Sequence, residues 1–188
     1  MITDLFDGNI AKILTLFSIS PGSKFSRNEI KERTMLNNIP LDNALDILFH
    51  NSLLLKEKRL YSLNFENNNA KEMVDLLKKE HIRFKQMPLN VYYILIEVSS
   101  LLSKIDKIER IYLFGSFAKL IYTEKSDLDL AIVLKEEKKE IMGNIRKDAA
   151  KVERKHGKPI EFHFFDKEDM NKNDTLIKEI KKNSIILF

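Results

Sequence analysis

The stretch that most restricts the fold lies between residues 111 and 134. An apolar run, Ile111-Tyr-Leu-Phe114, stops at Gly115-Ser116, and a second, Leu128-Asp-Leu-Ala-Ile-Val-Leu134, opens on two acids one residue apart, Asp127 and Asp129. Apolar runs this short, bounded by glycine and polar residues, read as strands. The segment between them has room for one short helix, predicted over Ser116 to Ile121. The same alternation continues to the end of the chain. A charged helix is predicted from Glu136 to His156, a strand from Ile160 to Phe165, a helix from Thr175 to Asn183 and an apolar tail from Ile185 to Phe188. Strands separated by helices imply an α/β arrangement, with helices packed on a sheet.

Within that frame the acids have a direction. Side chains alternate along a strand, so Asp127 and Asp129 share a face, with about 7 Å between their backbone positions. Two hard oxygen ligands at that reach suit Mg²⁺, which keeps several waters and takes one or two protein carboxylates together with substrate phosphates. Gly115 and Ser116 open the intervening helix, where backbone N–H groups and the helix dipole favour phosphate. Glycine, without a Cβ, lets an anion approach the backbone closely.

Composition sets the outer limits. With 44% hydrophobic and 32% charged residues over 188 positions, the chain can bury the core of one domain or of two small ones. No apolar run approaches the roughly 18 residues that a membrane span needs, and the N-terminus lacks a basic segment followed by an apolar one. The expectation is a soluble, cytoplasmic protein. There is no cysteine, so disulfides, zinc–thiolate sites and a cysteine nucleophile are excluded. The net charge of +4 is uneven: residues 1–66 carry eight basic and eight acidic side chains, which leaves the whole excess in residues 67–188.

Residues 1–66 read as a compact module. An apolar helix over Ile10–Ser18 is broken by Pro21-Gly22-Ser23. Ser26 with Glu29 forms a capping box for a second helix, and a third runs from about Leu41 to Asn51. Two short strand-like runs, Leu53–Leu55 and Leu60–Leu63, flank the polar turn Lys56–Arg59. Three helices followed by a hairpin resemble a winged helix-turn-helix module, which implies DNA as a partner, with the third helix in the major groove and the turn on phosphates. DNA affinity rests largely on phosphate neutralisation, whereas this module is neutral and its third helix carries Asp42 and Asp46. A protein-binding or dimerising role is the alternative. Asn67-Asn-Asn69 marks a boundary, and residues 67–88 read as a helical linker, an amphipathic helix from Ala70 to Gln86 that ends at Pro88. Its basic run Lys78–Lys85 reads as a solvated helix face. A largely covered helix is predicted from Leu89 to Ile105.

The pattern Phe114-Gly-Ser-Phe-Ala118, then Ser126-Asp-Leu-Asp-Leu130, resembles the nucleotidyltransferase superfamily of DNA polymerase β, and within it the minimal nucleotidyltransferase domains. The resemblance covers about residues 89–188. It implies an α/β (α+β) fold whose mixed sheet is flanked by helices, fused here to the winged-helix-like module. It also implies transfer of a nucleoside monophosphate from an NTP, with ATP expected, to a hydroxyl, releasing pyrophosphate. In such a domain Asp127 and Asp129 would hold two Mg²⁺, Gly115 and Ser116 the β- and γ-phosphates, and Lys119 would neutralise the triphosphate. The family supplies a third carboxylate from the neighbouring strand. Alternation puts Glu161 and His163 together on one face of Ile160–Phe165, which makes Glu161 the candidate third ligand or proton acceptor. His163 reads as a supporting donor or a core histidine. Members of that group include antitoxins that modify a tyrosine of a partner toxin, and relatives modify antibiotics or nucleic acid ends. The small size and the lack of a recognisable acceptor domain favour a macromolecular acceptor, protein or nucleic acid, over a small molecule, and a homodimer is compatible. The alternative is a DNA-binding regulator whose nucleotidyltransferase domain senses nucleotide or dimerises.

Overall fold

The computed structural model describes residues 7–84, 87–136 and 139–187. Expectations for Lys85, Gln86 and Phe188, and for the start of the charged helix at residues 137–138, fall outside that range. The chain divides into two compact units, one covering the described residues up to Phe84 and the other those from Met87.

In the first unit α1 (Gly8–Ile19) starts at Asp7, whose carboxylate accepts from the Asn9 and Ile10 amides. The capping box forms as the sequence predicts: Ser26 Oγ accepts from the Glu29 amide, and the Glu29 carboxylate accepts from the Ser26 amide, at the head of α2 (Arg27–Thr34). Met35, left-handed at φ 54°, ends that helix, and α3 (Asn38–His50) follows. The hairpin of β2 (Leu54–Glu57) and β3 (Leu60–Leu63) is tighter than expected. Lys56 and Glu57 belong to the strand, and Lys58, at φ 56°, makes the turn with Arg59. A strand of two residues, β1 (Phe25–Ser26), pairs antiparallel with β3 and gives the order β1-β3-β2. Two residues are too few for periodicity to reveal. The long helix α4 (Asn68–Arg83), capped by Asn67, packs on α1 and contributes Ala70, Val74 and Leu77 to this unit's core. Its apolar stripe therefore has a partner within the unit, although the sequence reads it as a linker.

The second unit holds a four-stranded mixed sheet in the order β6-β5-β4-β7. Its elements are α5 (Leu89–Leu102), β4 (Ile108–Leu113), α6 (Gly115–Lys119), β5 (Leu128–Leu134), α7 (Lys139–His156), β6 (Ile160–Phe165), a 3₁₀ turn at Asp169–Asn171, α8 (Thr175–Asn183) and β7 (Ile185–Ile186). Strand β4 runs antiparallel to β5 and β7, while β5 and β6 are parallel, joined by the crossover helix α7. The central strand β5 is buried along Leu128 and Leu130–Leu134. Helix α7 turns Ile145, Ala149 and Val152 inward and packs with α5, and α8 closes a cluster of Phe114, Ala131, Ile177 and Ile180. No helix among the described residues is long and apolar enough to cross a membrane.

Candidate functional site

Strand β4 ends, and β5 and β6 begin, where the sequence motifs lie. The Phe114 amide donates to the Asp129 carbonyl at 3.0 Å, so the chain leaves β4 directly beside the first residues of β5. Gly115 follows with φ +69°, and a Cβ built on it would meet Asp129 Oδ2 at 2.0 Å. Only glycine fits there: the backbone conformation disfavours a side chain, and the carboxylate occupies the space one would need. Helix α6 then runs for five residues with no side-chain cap at its start, and Leu120, left-handed at φ 59°, stops it. The first backbone N–H groups of a helix have no partner within it, so those at Gly115 and Ser116 are donors beside the carboxylate.

Parallel pairing sets the other half of the site. Asp129 is opposite Glu161 and Ala131 is opposite His163, which puts Asp129, Glu161 and His163 on one face. One ligand atom from each lies within 4.8 Å of the other two. His163 Nε2 is 3.4 Å from Glu161 Oε1, and its ring stands edge-on to Phe114 with centroids 5.2 Å apart. Burial pushes the Asp129 carboxyl above the ordinary carboxylate range. The Glu161 charge adds to that rise and His163 opposes it, with smaller upward contributions from Asp127 and Glu179. Two carboxylates and an imidazole that converge on a half-buried point, with the acids repelling one another, fit a divalent cation.

The other sequence candidates stand as follows. Asp127 is exposed and precedes β5, in a turn held by the Thr123 amide donating to Ser126 Oγ at 2.8 Å. Its charge reaches Asp129, but its carboxylate is outside the close cluster. Ser116 is half-buried at the second position of α6. Lys119 Nζ is 2.7 Å from Glu179 Oε1. The cluster includes His163, which the sequence places on the same face as Glu161 but reads as a supporting donor or a core histidine and not as a ligand. Glu179, from α8, also acts on the site, and no motif could have pointed to it because its approach depends on how α8 docks. A cavity of about 320 Å³ lies nearby in the chain, lined by Phe117, Tyr122, Thr123 and Lys158 among others.

Residues 97–188 match the family model described as polymerase beta, nucleotidyltransferase. No curated protein matches the chain. The family match supports a domain of the nucleotidyltransferase superfamily in the second unit and indicates nucleotidyl transfer in general. That superfamily generally uses an NTP and a divalent metal, for which Asp129, Glu161 and His163 form a candidate triad.

Proposed function

We propose that the second unit, as a nucleotidyltransferase domain, transfers a nucleoside monophosphate, AMP, from ATP to a hydroxyl on a macromolecular acceptor and releases pyrophosphate. The observation that carries this reading is the Asp129–Glu161–His163 cluster, whose Asp129 carboxylate is seated against Gly115 at the start of α6: it supports a candidate cation site beside the first amides of that helix.

Asp129 and Glu161, with His163 beside them and Asp127 at the rim, would hold Mg²⁺, which when bound neutralises the triphosphate and acidifies the attacking hydroxyl. The Gly115 and Ser116 amides bind the outer phosphates. As the acceptor oxygen bonds to the α-phosphorus, the bond from that phosphorus to the pyrophosphate oxygen breaks, and Glu161 takes the hydroxyl proton. Lys119 is engaged by Glu179, so neutralising phosphate would require it to leave that carboxylate.

The first unit is read as a winged-helix-like module whose business is a partner protein. Its third helix exposes Ile39 (75% exposed), Ile47 and Phe49 beside Asp42 and Asp46, and two of its cations are engaged, Lys24 with Glu57 and Arg27 with Asp42. Lys12, a third, is fully buried and donates to the Thr34 carbonyl. The alternative of a DNA-binding regulator is favoured by the order of helices and hairpin and opposed by this charge distribution.

The test is incubation of the full chain with Mg²⁺ and ATP labelled at the α- or the γ-phosphate in a lysate of the source organism. Label from the α-phosphate, and none from the γ-phosphate, should enter one macromolecule. Salt-sensitive DNA binding without any incorporation would favour the regulator instead.

A further inference from the structure

Strand β6 forms one edge of the sheet and, among the described residues, pairs with β5 alone. Its register with β5 is regular over six residue pairs, without a bulge. Natural sheet edges are protected by lysines, prolines, bulges or brevity. The far edge, β7, is two residues long, whereas β6, Ile160-Glu-Phe-His-Phe-Phe165, has no lysine and no proline. Phe162, His163, Phe164 and Phe165 are only half-buried, on both faces of the strand, while β5 beside them is buried along nearly its whole length. Exposure on both faces belongs to an edge.

The direction of the backbone groups follows from one bond. The Leu128 amide donates to the Pro159 carbonyl at 3.0 Å, so residue 159 points toward β5. Alternation then turns Glu161 and His163 toward β5 and Ile160, Phe162 and Phe164 outward. The outward amide of Ile160 donates to Glu153 Oε1 at 2.8 Å. Phe162 and Phe164 thus present their N–H and C=O groups outward, in strand geometry.

We propose that the acceptor docks as an extended segment added along β6, paired with the backbone of Phe162 and Phe164. This rests on the transferase reading for what is then done to the segment. Added strands sit about 4.8 Å from their neighbour, and side chains beside each other share a face. A serine, threonine or tyrosine beside Glu161 or His163 would thereby bring its hydroxyl to the cluster that includes Asp129. The alternate positions of the segment meet Phe162 and Phe164, whose rings lie 6.2 Å apart, and the Arg146 guanidinium is 5.5 Å from the Phe164 ring. The segment is therefore hydroxylic on one face and apolar on the other, a pattern that excludes proline and a folded helix.

A nine-residue acetylated peptide in which valine and threonine alternate between terminal arginines is the probe, and amide hydrogen exchange of the full chain with Mg²⁺ and ATP is the readout. Saturating peptide should slow exchange at Phe162 and Phe164 about tenfold or more. The same peptide N-methylated at alternate residues should not. Phe164→Lys, which puts a charge on the edge, should weaken peptide binding about tenfold with an unchanged circular dichroism spectrum. Unchanged exchange at β6, equal binding of the N-methylated peptide, or full affinity in Phe164→Lys overturns the docking. So does slow exchange at β6 without peptide in a chain that sediments as a dimer, because the edge is then occupied by a second copy. Slowed exchange with no label on threonine leaves the docking intact and counts against transfer. Labelled threonine with no change at β6 does the reverse.

Discussion

Asp42 in the first unit and Asp129 in the second are aspartates with opposite surroundings. The Arg27 guanidinium grips Asp42 through two hydrogen bonds, Nε at 2.6 Å and Nη2 at 2.9 Å, and holds its carboxyl below the ordinary range. Asp129 has no lysine or arginine within ion-pair distance among the described residues, and burial with the Glu161 charge pushes its carboxyl the other way. A carboxylate supplied with its own cation completes a surface. One that is packed against glycine and a second acid is an unfavourable arrangement that a divalent cation would relieve, and such sites recur where function needs them. Acid count alone would rank helix α3 beside the strand site, but the immediate neighbours separate them.

The comparison breaks most readily at Asp129. Asp129→Asn should lower α-phosphate transfer on the order of 10³-fold, the loss expected when a ligand to the cation that stabilises the reacting phosphoryl group is removed, while the circular dichroism spectrum is retained. Transfer that survives this change would move the site elsewhere. Gly115→Ala should cost on the order of 10²-fold, because the methyl must displace the Asp129 carboxylate from its place. Its tell-tale is weakened Mg²⁺ binding as well as slower turnover.

Stability sharpens the contrast with the sign reversed. Because folding raises the Asp129 carboxyl, the native chain holds the proton more tightly than the unfolded one, so this group's contribution to stability is present in acid and is lost as pH rises through its folded value. In a chelating buffer at neutral pH, Asp129→Asn should therefore melt about 2 °C above the parent, and the difference should vanish on acidification below the ordinary carboxylate range. Asp42 runs the opposite way: its contribution is present above the ordinary carboxylate range and fades as pH falls through its lowered folded value. The smallest effect is expected for Asp42→Asn. An exposed pair contributes little, so its melting temperature and transfer rate should both stay near those of the parent, which calorimetry and the labelling assay would check.

Much of the second unit was legible in advance because its signals are local. Strand β5 and helix α8 fall where the apolar runs place them, and the alternation along Ile160–Phe165 puts Glu161 and His163 on one face before any pairing is known. Gly115 stood out as the end of a run, but the reason it must be glycine, a carboxylate 2.0 Å from its absent Cβ, lies fourteen positions away in the sequence. Strand β1 was silent because two residues carry no period, and α4 looked like a linker because a sequence shows an apolar stripe without showing what covers it.

By itself the sequence determined that residues 108–187 alternate strand and helix, that glycine precedes a helical turn and that acids open the next strand. Those are consequences of backbone periodicity and of side chains acting on their neighbours. Which acids converge was decided by tertiary structure. The parallel register of β5 with β6 brought Glu161 and His163 to Asp129, and the start of β5 at Leu128 left Asp127 at the exposed rim. The docking of α8 added Glu179 to the charges that reach Asp129 and set it against Lys119. Such proximity depends on how distant segments pack, and no local pattern encodes it.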